Sequence, residues 1–117
     1  MKVSLIAVMS AALIGGSAIT ASAQDAAKIE AGKTAYAAAN CKTCHAIGGA
    51  GGKTASALDG IGKKMPAADI KMWLTHTAEM EAKLKEKPKV SMAAMMKAKP
   101  LKDADADAIT AYLASLK

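Results

Sequence analysis

The sequence contains very few aromatic residues: no phenylalanine, one tryptophan and two tyrosines among 117 residues. It also contains no arginine, so its 16 basic residues are all lysines, and it has only two cysteines. A chain of this length is expected to form one domain, but so few large side chains fill a core poorly. One cysteine pair excludes a disulfide-rich scaffold. The composition therefore argues against a self-sufficient enzyme domain and indicates that something else must either fill the core or hold the chain.

The N-terminal segment, residues 1–23, has the organisation of a secretory signal peptide. A lysine at the second position precedes the uncharged, apolar residues 3–14, and Ala21 and Ala23 occupy the two positions that a signal peptidase reads. The apolar stretch is shorter than the roughly 20 residues of a membrane span. We therefore expect cleavage after Ala23, export to the periplasm without a stable membrane anchor, and a mature domain of residues 24–117.

Helical periodicity marks both ends of this domain. We predict a first helix that begins at an N-cap on Asp25, continues to about Ala39 and stops at Asn40. A last helix is expected to start at Asp103, with that residue as its cap, and its apolar stripe includes Tyr112.

The middle of the domain contains shorter elements. Six glycines within residues 41–64 indicate a loop. Pro66 is placed to open a second helix, and residues 78–86 form a further short helical piece. Residues 90–100 are rich in methionine and lysine and lack a clean period, so we expect a loop there. No segment alternates as a strand does, and the predicted fold is all-α, with three to four short helices joined by long loops.

The chain contains one C-x-x-C-H motif, formed by Cys41, Cys44 and His45. This pattern is the attachment signature of c-type haem. Two thiols at this spacing can form thioethers on one side of a porphyrin, and the adjacent imidazole can supply the proximal iron ligand. A covalently held haem would also supply the missing core volume.

Three other interpretations of the two cysteines are weaker. A zinc site would need Cys41, Cys44, His45 and His76, but the sequence neighbours Cys44 and His45 cannot easily bind the same tetrahedral ion. A thiol–disulfide exchange site belongs to a βαβ unit, which the pattern does not contain. The third is an incidental disulfide. In an exported chain of this size, the five-residue motif favours haem over all three.

Around this motif the chain resembles the monohaem class I c-type cytochromes over residues 24–117. The matching pieces follow the family's order: the first helix, the haem motif, the glycine-rich loop, the middle helix, a methionine-bearing loop and the last helix. Gly32 and Tyr36 lie in the first helix, Leu58 in the glycine-rich loop, Trp73 in the middle helix and Tyr112 in the last helix. The resemblance implies that the helices wrap around one covalent haem c. It also implies that the first and last helices cross at Gly32, with Tyr36 and Tyr112 filling the crossing.

The resemblance further implies a methionine as the distal iron ligand, shortly before the last helix. We favour Met92, because its surroundings resemble the family's Met-Pro-x-aromatic pattern, with Ala93 in place of the proline and Met95 in place of the aromatic residue. Met95 or Met96 is the alternative, and His76 or an open position is the remaining possibility. In the family a proline carbonyl holds the ring N–H of the proximal histidine. Residues 55–58 lack that proline, so the sequence does not name the acceptor.

By the same resemblance we expect an electron carrier rather than an enzyme, with iron cycling between Fe(II) and Fe(III). Its partners would be a donor dehydrogenase or cytochrome complex and an acceptor oxidase or reductase. Acidic docking surfaces on these partners would suit the lysines that flank the distal segment, which are Lys83, Lys85, Lys87, Lys89, Lys97, Lys99 and Lys102. We expect a monomer that does not bind nucleic acid. The alternative function is a haem-based ligand binder or sensor with an open or non-Met distal site.

Overall fold

A computed structural model describes residues 17–117, and the side chains are described from Asp25 onward. The prediction of a signal peptide falls largely on residues 1–16, which lie outside the described residues. The described part contains six α-helices: α1 (Ser17–Ala38), α2 (Ile61–Lys64), α3 (Ala67–Thr75), α4 (Thr77–Ala82), α5 (Met92–Ala98) and α6 (Asp103–Ala114). A 3₁₀ turn (Cys41–Thr43) and the short strands β1 (Ala46–Ile47) and β2 (Ala50–Gly51) lie between α1 and α2.

The all-α prediction is confirmed, but several of its details are corrected. The described residues contain six α-helices instead of three or four, and β1 and β2 pair antiparallel, with Ala46 opposite Gly51 and Ile47 opposite Ala50. Strands of two residues are too short to produce a readable alternation. Asp25 is not the N-cap of the first helix, because the described residues before it, 17–24, are already helical and contain no proline that would end the helix.

Two further boundaries differ from the sequence prediction. The short helical piece predicted over residues 78–86 is α4, which ends at Ala82, well before Pro88. The predicted methionine loop contains the helix α5. Lys102, in extended conformation, is the N-cap residue of α6, so Asp103 is its first helical residue and not its cap.

Helices α1 and α6 cross at Gly32, as the resemblance predicted. A Cβ atom at this position would overlap the backbone carbonyl oxygen of Ala108 and would lie 2.7 Å from the Cβ atom of Tyr112. The rings of Tyr36 and Tyr112 meet edge to face, with centroids 5.7 Å apart and an interplanar angle of 75°. Such aromatic pairs stabilise beyond the area that they bury. The missing side chain at Gly32 therefore lets the two helices approach closely enough for this contact.

The core lies beside the crossing, where α3 packs on α6. Its buried hydrophobic side chains are Tyr36, Ile70, Leu74, Ala106, Ile109 and Leu113. Of the large side chains described, only Ile109 is fully buried. After α1, Asn40 has the left-handed conformation (φ 59°), which asparagine adopts more readily than most residues. This turn places the 3₁₀ turn Cys41–Thr43 at the edge of the core.

Replacing Gly32 by alanine is expected to destabilise the protein. Alanine favours helix over glycine by up to about 1 kcal/mol, but the new methyl group meets backbone atoms that cannot rotate away. Overpacking of this kind costs about 1–3 kcal/mol, so we expect a net loss and a fall in Tm of several degrees. Thermal unfolding followed by circular dichroism measures it. The exposed variant Ala37→Ser on the same helix should leave Tm nearly unchanged, and an equal Tm for both variants would contradict the close crossing.

Candidate functional site

The C-x-x-C-H residues lie on the 3₁₀ turn that follows α1. The amides of Cys44 and His45 both donate to the carbonyl oxygen of Cys41, over 3.3 and 3.0 Å. This tight turn directs the two half-buried thiols and the imidazole into one cavity. The two thiols are not joined in a disulfide, and burial raises the pKa of the Cys41 thiol. A raised pKa opposes the thiolate chemistry of a thiol–disulfide exchange site.

The glycine-rich segment after the motif packs against the backbone of this turn through Gly51 and Gly52. The amide of Gly52 donates to the carbonyl oxygen of Lys42 over 2.8 Å. Cβ atoms at Gly51 and Gly52 would overlap the carbonyl oxygens of His45 and Thr43, respectively. The hairpin of β1 and β2 can therefore press against the backbone of the motif only because glycines occupy these positions. The sequence prediction treated these glycines only as part of a loop and missed their contact with the motif. The high density of glycine directly after the motif could have indicated it.

The ring of His45 is held by a backbone carbonyl that the sequence did not name. Its Nδ1 lies 2.6 Å from the carbonyl oxygen of Ser56. Because a carbonyl oxygen only accepts, Nδ1 carries the proton and Nε2 keeps its lone pair for a metal ion. Ser56 lies two residues before Leu58, and its carbonyl is available whatever its side chain. The absence of a proline therefore does not remove the acceptor.

Two cavities of about 770 and 480 Å³ adjoin the motif. Both volumes fall within the usual range for cofactor sites, roughly 300–1,000 Å³. Five residues line both cavities, and they are Cys41, His45, Ala55, Val90 and Met92. The larger cavity also has Cys44 in its wall, and the smaller one extends to the buried side chains of the core. Apart from the thiol, thioether and imidazole groups, most of the lining is apolar.

The candidate distal ligands occupy different places around these cavities. Met92, at the start of α5, is half-buried and lines both cavities with His45. Met96 is half-buried and Met95 is 47 % exposed, and both line only the larger cavity. His76 is exposed, lies at the junction of α3 and α4, and its Nδ1 pairs with the Thr75 hydroxyl over 2.8 Å. Its side chain lines neither cavity.

Helix α5 is attached to α4 by a carboxylate that the sequence analysis did not single out. Glu81 accepts hydrogen bonds from the Ser91 hydroxyl and from the Ala93 amide, each over 2.9 Å. The Ala93 amide lowers the pKa of the Glu81 carboxyl; the Ser91 hydroxyl and the Met92 amide lower it further, while burial acts in the opposite direction. Glu81 also lines the smaller cavity.

Tyr36 joins the helix crossing to the site. Its hydroxyl donates a long hydrogen bond of 3.5 Å to the carbonyl oxygen of His45. Burial raises the pKa of Tyr36 to about 12, so the phenol stays protonated and can remain a donor at neutral pH. The ring lines the smaller cavity beside Ile109 and Leu113. Tyr36 therefore packs in the core and contacts the backbone of the motif at the same time.

The family follows from a comparison with protein-family models. The model described as Cytochrome c matches residues 29–117, which is most of the chain. The chain belongs to the cytochrome c family, whose members bind haem c covalently and transfer electrons. Comparisons with curated proteins and with solved structures gave no match.

The residues present fit a covalently bound haem. The cavities bring together two free thiols, an imidazole with an available Nε2 and thioether sulfurs, within mainly apolar walls. Thioether bonds, an imidazole ligand and a methionine ligand use these groups without requiring another charged residue in the site. Cys41 and Cys44 would hold the porphyrin, and His45 would bind its iron.

Proposed function

We propose that the protein is a small periplasmic electron carrier with one haem c, attached through Cys41 and Cys44 and ligated by His45 and Met92. The observation that carries this proposal is the set of residues common to both cavities, which includes Cys41, His45 and Met92. When bound, the haem supplies a single iron that alternates between Fe(II) and Fe(III). The protein is not proposed to transform a substrate.

The chain's own residues are suited to electron transfer without proton transfer. The Ser56 carbonyl fixes the His45 tautomer, so the imidazole needs no proton exchange to present Nε2. A methionine partner raises the reduction potential relative to two histidines. A site filled from both sides would leave no position for oxygen or another small ligand.

Cyclic voltammetry of the holoprotein is expected to give one reversible one-electron wave, and an irreversible or multi-electron wave would overturn the proposal.

We further propose that the partners dock at the lysine-rich loop, residues 83–90. Its lysines, Lys83, Lys85, Lys87 and Lys89, are exposed. Leu84, Pro88 and Val90 in the same loop line the smaller cavity, and Leu84 and Val90 are 42 % and 47 % exposed. Positive charge around an apolar rim favours an acidic surface on a donor dehydrogenase or cytochrome complex and on an acceptor oxidase or reductase.

Replacing Lys85, Lys87 and Lys89 together by glutamate is expected to slow oxidation by hexacyanoferrate(III) about tenfold at low salt, because electrostatic steering changes association rates by roughly 10–10³. Stopped-flow absorbance over a range of ionic strength measures the rate. The wild-type rate should fall as salt rises, and the variant should lose this dependence. Lys64→Glu on α2, an exposed residue that lines neither cavity, is the control. A wild-type rate that does not change with ionic strength would contradict the docking proposal.

Export is the third part of the proposal. It is supported by the apolar residues 3–14 and the small residues Ala21 and Ala23. Among residues 17–117, no helix combines the length and apolar character needed to cross a membrane. Expression of the full chain in a Gram-negative host should yield a periplasmic protein whose first residue is Gln24. A holoprotein that retains residues 1–23 would contradict this.

A further inference from the structure

Glu81 connects α4 to the first turn of α5, the helix that carries Met92. Its Oε1 accepts from the Ala93 amide and its Oε2 from the Ser91 hydroxyl, both over 2.9 Å. The Ser91 oxygen in turn accepts from the Ala94 amide over 3.2 Å. Amides in the first turn of a helix have no partner within the helix. The Glu81 carboxylate therefore accepts directly from one amide of this turn, that of Ala93. It also holds the Ser91 hydroxyl, whose oxygen accepts from a second amide, that of Ala94.

These hydrogen bonds close the base of the lysine-rich loop. Residues 83–90 are all exposed and contain no regular secondary structure. Such a loop by itself would transmit its own motion to the residue that follows it. The link between Glu81 and Ser91 joins the two ends of the loop immediately before Met92. The first residues of α5 are therefore held by α4 as well as by the loop that leads into them.

We propose that Glu81 is a positioning residue for the distal ligand: its carboxylate fixes the start of α5, so that Met92 is held at the two cavities although an irregular loop precedes it. This inference rests on the proposed function, because it takes Met92 as the iron ligand. Glu81 itself does not bind the iron; it acts through Ser91, Ala93 and the helix that they begin.

The same helix offers a matched control. Glu79 is exposed on α4 and carries the same charge, and its side chain makes no hydrogen bond or ion pair within the described residues. Glu79→Ala therefore removes one negative charge from α4 without touching α5. Comparison of Glu81→Ala with Glu79→Ala separates the loss of hydrogen bonds from the change in net charge.

The test uses the holoprotein in three variants, Glu81→Ala, Glu81→Gln and Glu79→Ala, with two readouts. The first is the affinity of the oxidised protein for added imidazole, which competes with the methionine for iron. We expect it to rise about tenfold in Glu81→Ala; tenfold corresponds to about 1.4 kcal/mol, the scale of one hydrogen bond to a charged group. The second is hydrogen exchange of the Ala93 amide by NMR, expected to be at least about tenfold faster. Both should be unchanged in Glu79→Ala.

Glu81→Gln keeps one oxygen that can accept from Ala93 and should give intermediate values. It also keeps the test decisive if Glu81→Ala does not yield holoprotein. Equal imidazole affinities in Glu81→Ala and Glu79→Ala would overturn the positioning role and leave Met92 as ligand. If Met92→Ala retains the charge-transfer band between methionine and iron, the ligand assignment itself fails and the role of Glu81 fails with it.

Discussion

A variant in which serine replaces both Cys41 and Cys44 is expected to contain no covalently bound haem and to lose its fixed tertiary structure. The two thiols are the only cysteines in the sequence, so no other residue can form the thioether bonds. This change should have the largest effect of any double substitution in the chain, because it removes the cofactor and the core together.

The size of the effect follows from how little the side chains bury among themselves. Among residues 25–117, whose side chains the structure describes, only five buried hydrophobic residues are larger than alanine, and they are Tyr36, Ile70, Leu74, Ile109 and Leu113. Domains of this size are marginally stable even with an ordinary core. Two cavities of about 770 and 480 Å³ adjoin the motif, and the smaller one also adjoins these five side chains. A group that binds there contributes its binding free energy to the stability of the folded state.

Intact mass spectrometry and near-ultraviolet circular dichroism measure this prediction after expression with the cytochrome c maturation machinery. The wild type should carry the mass of one haem, and the double variant should lack that mass and its near-ultraviolet signal. His76→Ala, which changes an exposed histidine that lines neither cavity, should retain both. Cooperative unfolding of the haem-free double variant at the wild-type temperature would show that the side chains alone suffice for folding.

Replacing Met92 by alanine is expected to abolish the charge-transfer band between methionine and iron and to lower the reduction potential. Axial ligands move haem potentials over a range of roughly 0.8 V, and loss of the thioether should account for about 0.1 V of it. Met92 is expected to be the ligand because, of the three methionines on α5, only Met92 lines both cavities with His45.

Met95→Ala and Met96→Ala are the matched controls, since they remove the same side chain from the same helix. Met95 is 47 % exposed, and both residues line only the larger cavity. Absorption spectra of the oxidised proteins and spectroelectrochemical titration measure the band and the potential. If either control loses the band while Met92→Ala retains it, the distal ligand is instead Met95 or Met96, one turn later in α5.

The parts of the fold that the sequence predicted are those marked by a continuous motif, by a run of charge or by the family resemblance. The C-x-x-C-H motif is continuous in sequence, and α6 begins where the aspartates accumulate, at Asp103. Gly32, Tyr36 and Tyr112 were placed at the crossing from the resemblance, and the structure confirms the contact. The motif and the start of α6 are read from a few adjacent residues, and the crossing follows from the family's order of elements.

The parts that the sequence did not predict depend on contacts that leave no recognisable pattern in the sequence. The segment of α5 lacks a clean apolar period, and its first turn is completed by Glu81, which lies ten residues before Ser91. The acceptor for His45 is the backbone carbonyl of Ser56, which leaves no mark on the choice of side chain. The hairpin behind the motif consists of two-residue strands held against it by Gly52. Each of these required the folded chain to be seen.

Exposure of the reduced holoprotein to carbon monoxide at neutral pH tests the account most directly. An electron carrier with His45 and Met92 on opposite sides of the iron has no free coordination position, so its absorption spectrum should not change. The Met92→Ala protein, measured in parallel, should bind carbon monoxide readily. Ready binding by the wild type would contradict the closed site and would instead support a haem-based ligand binder or sensor.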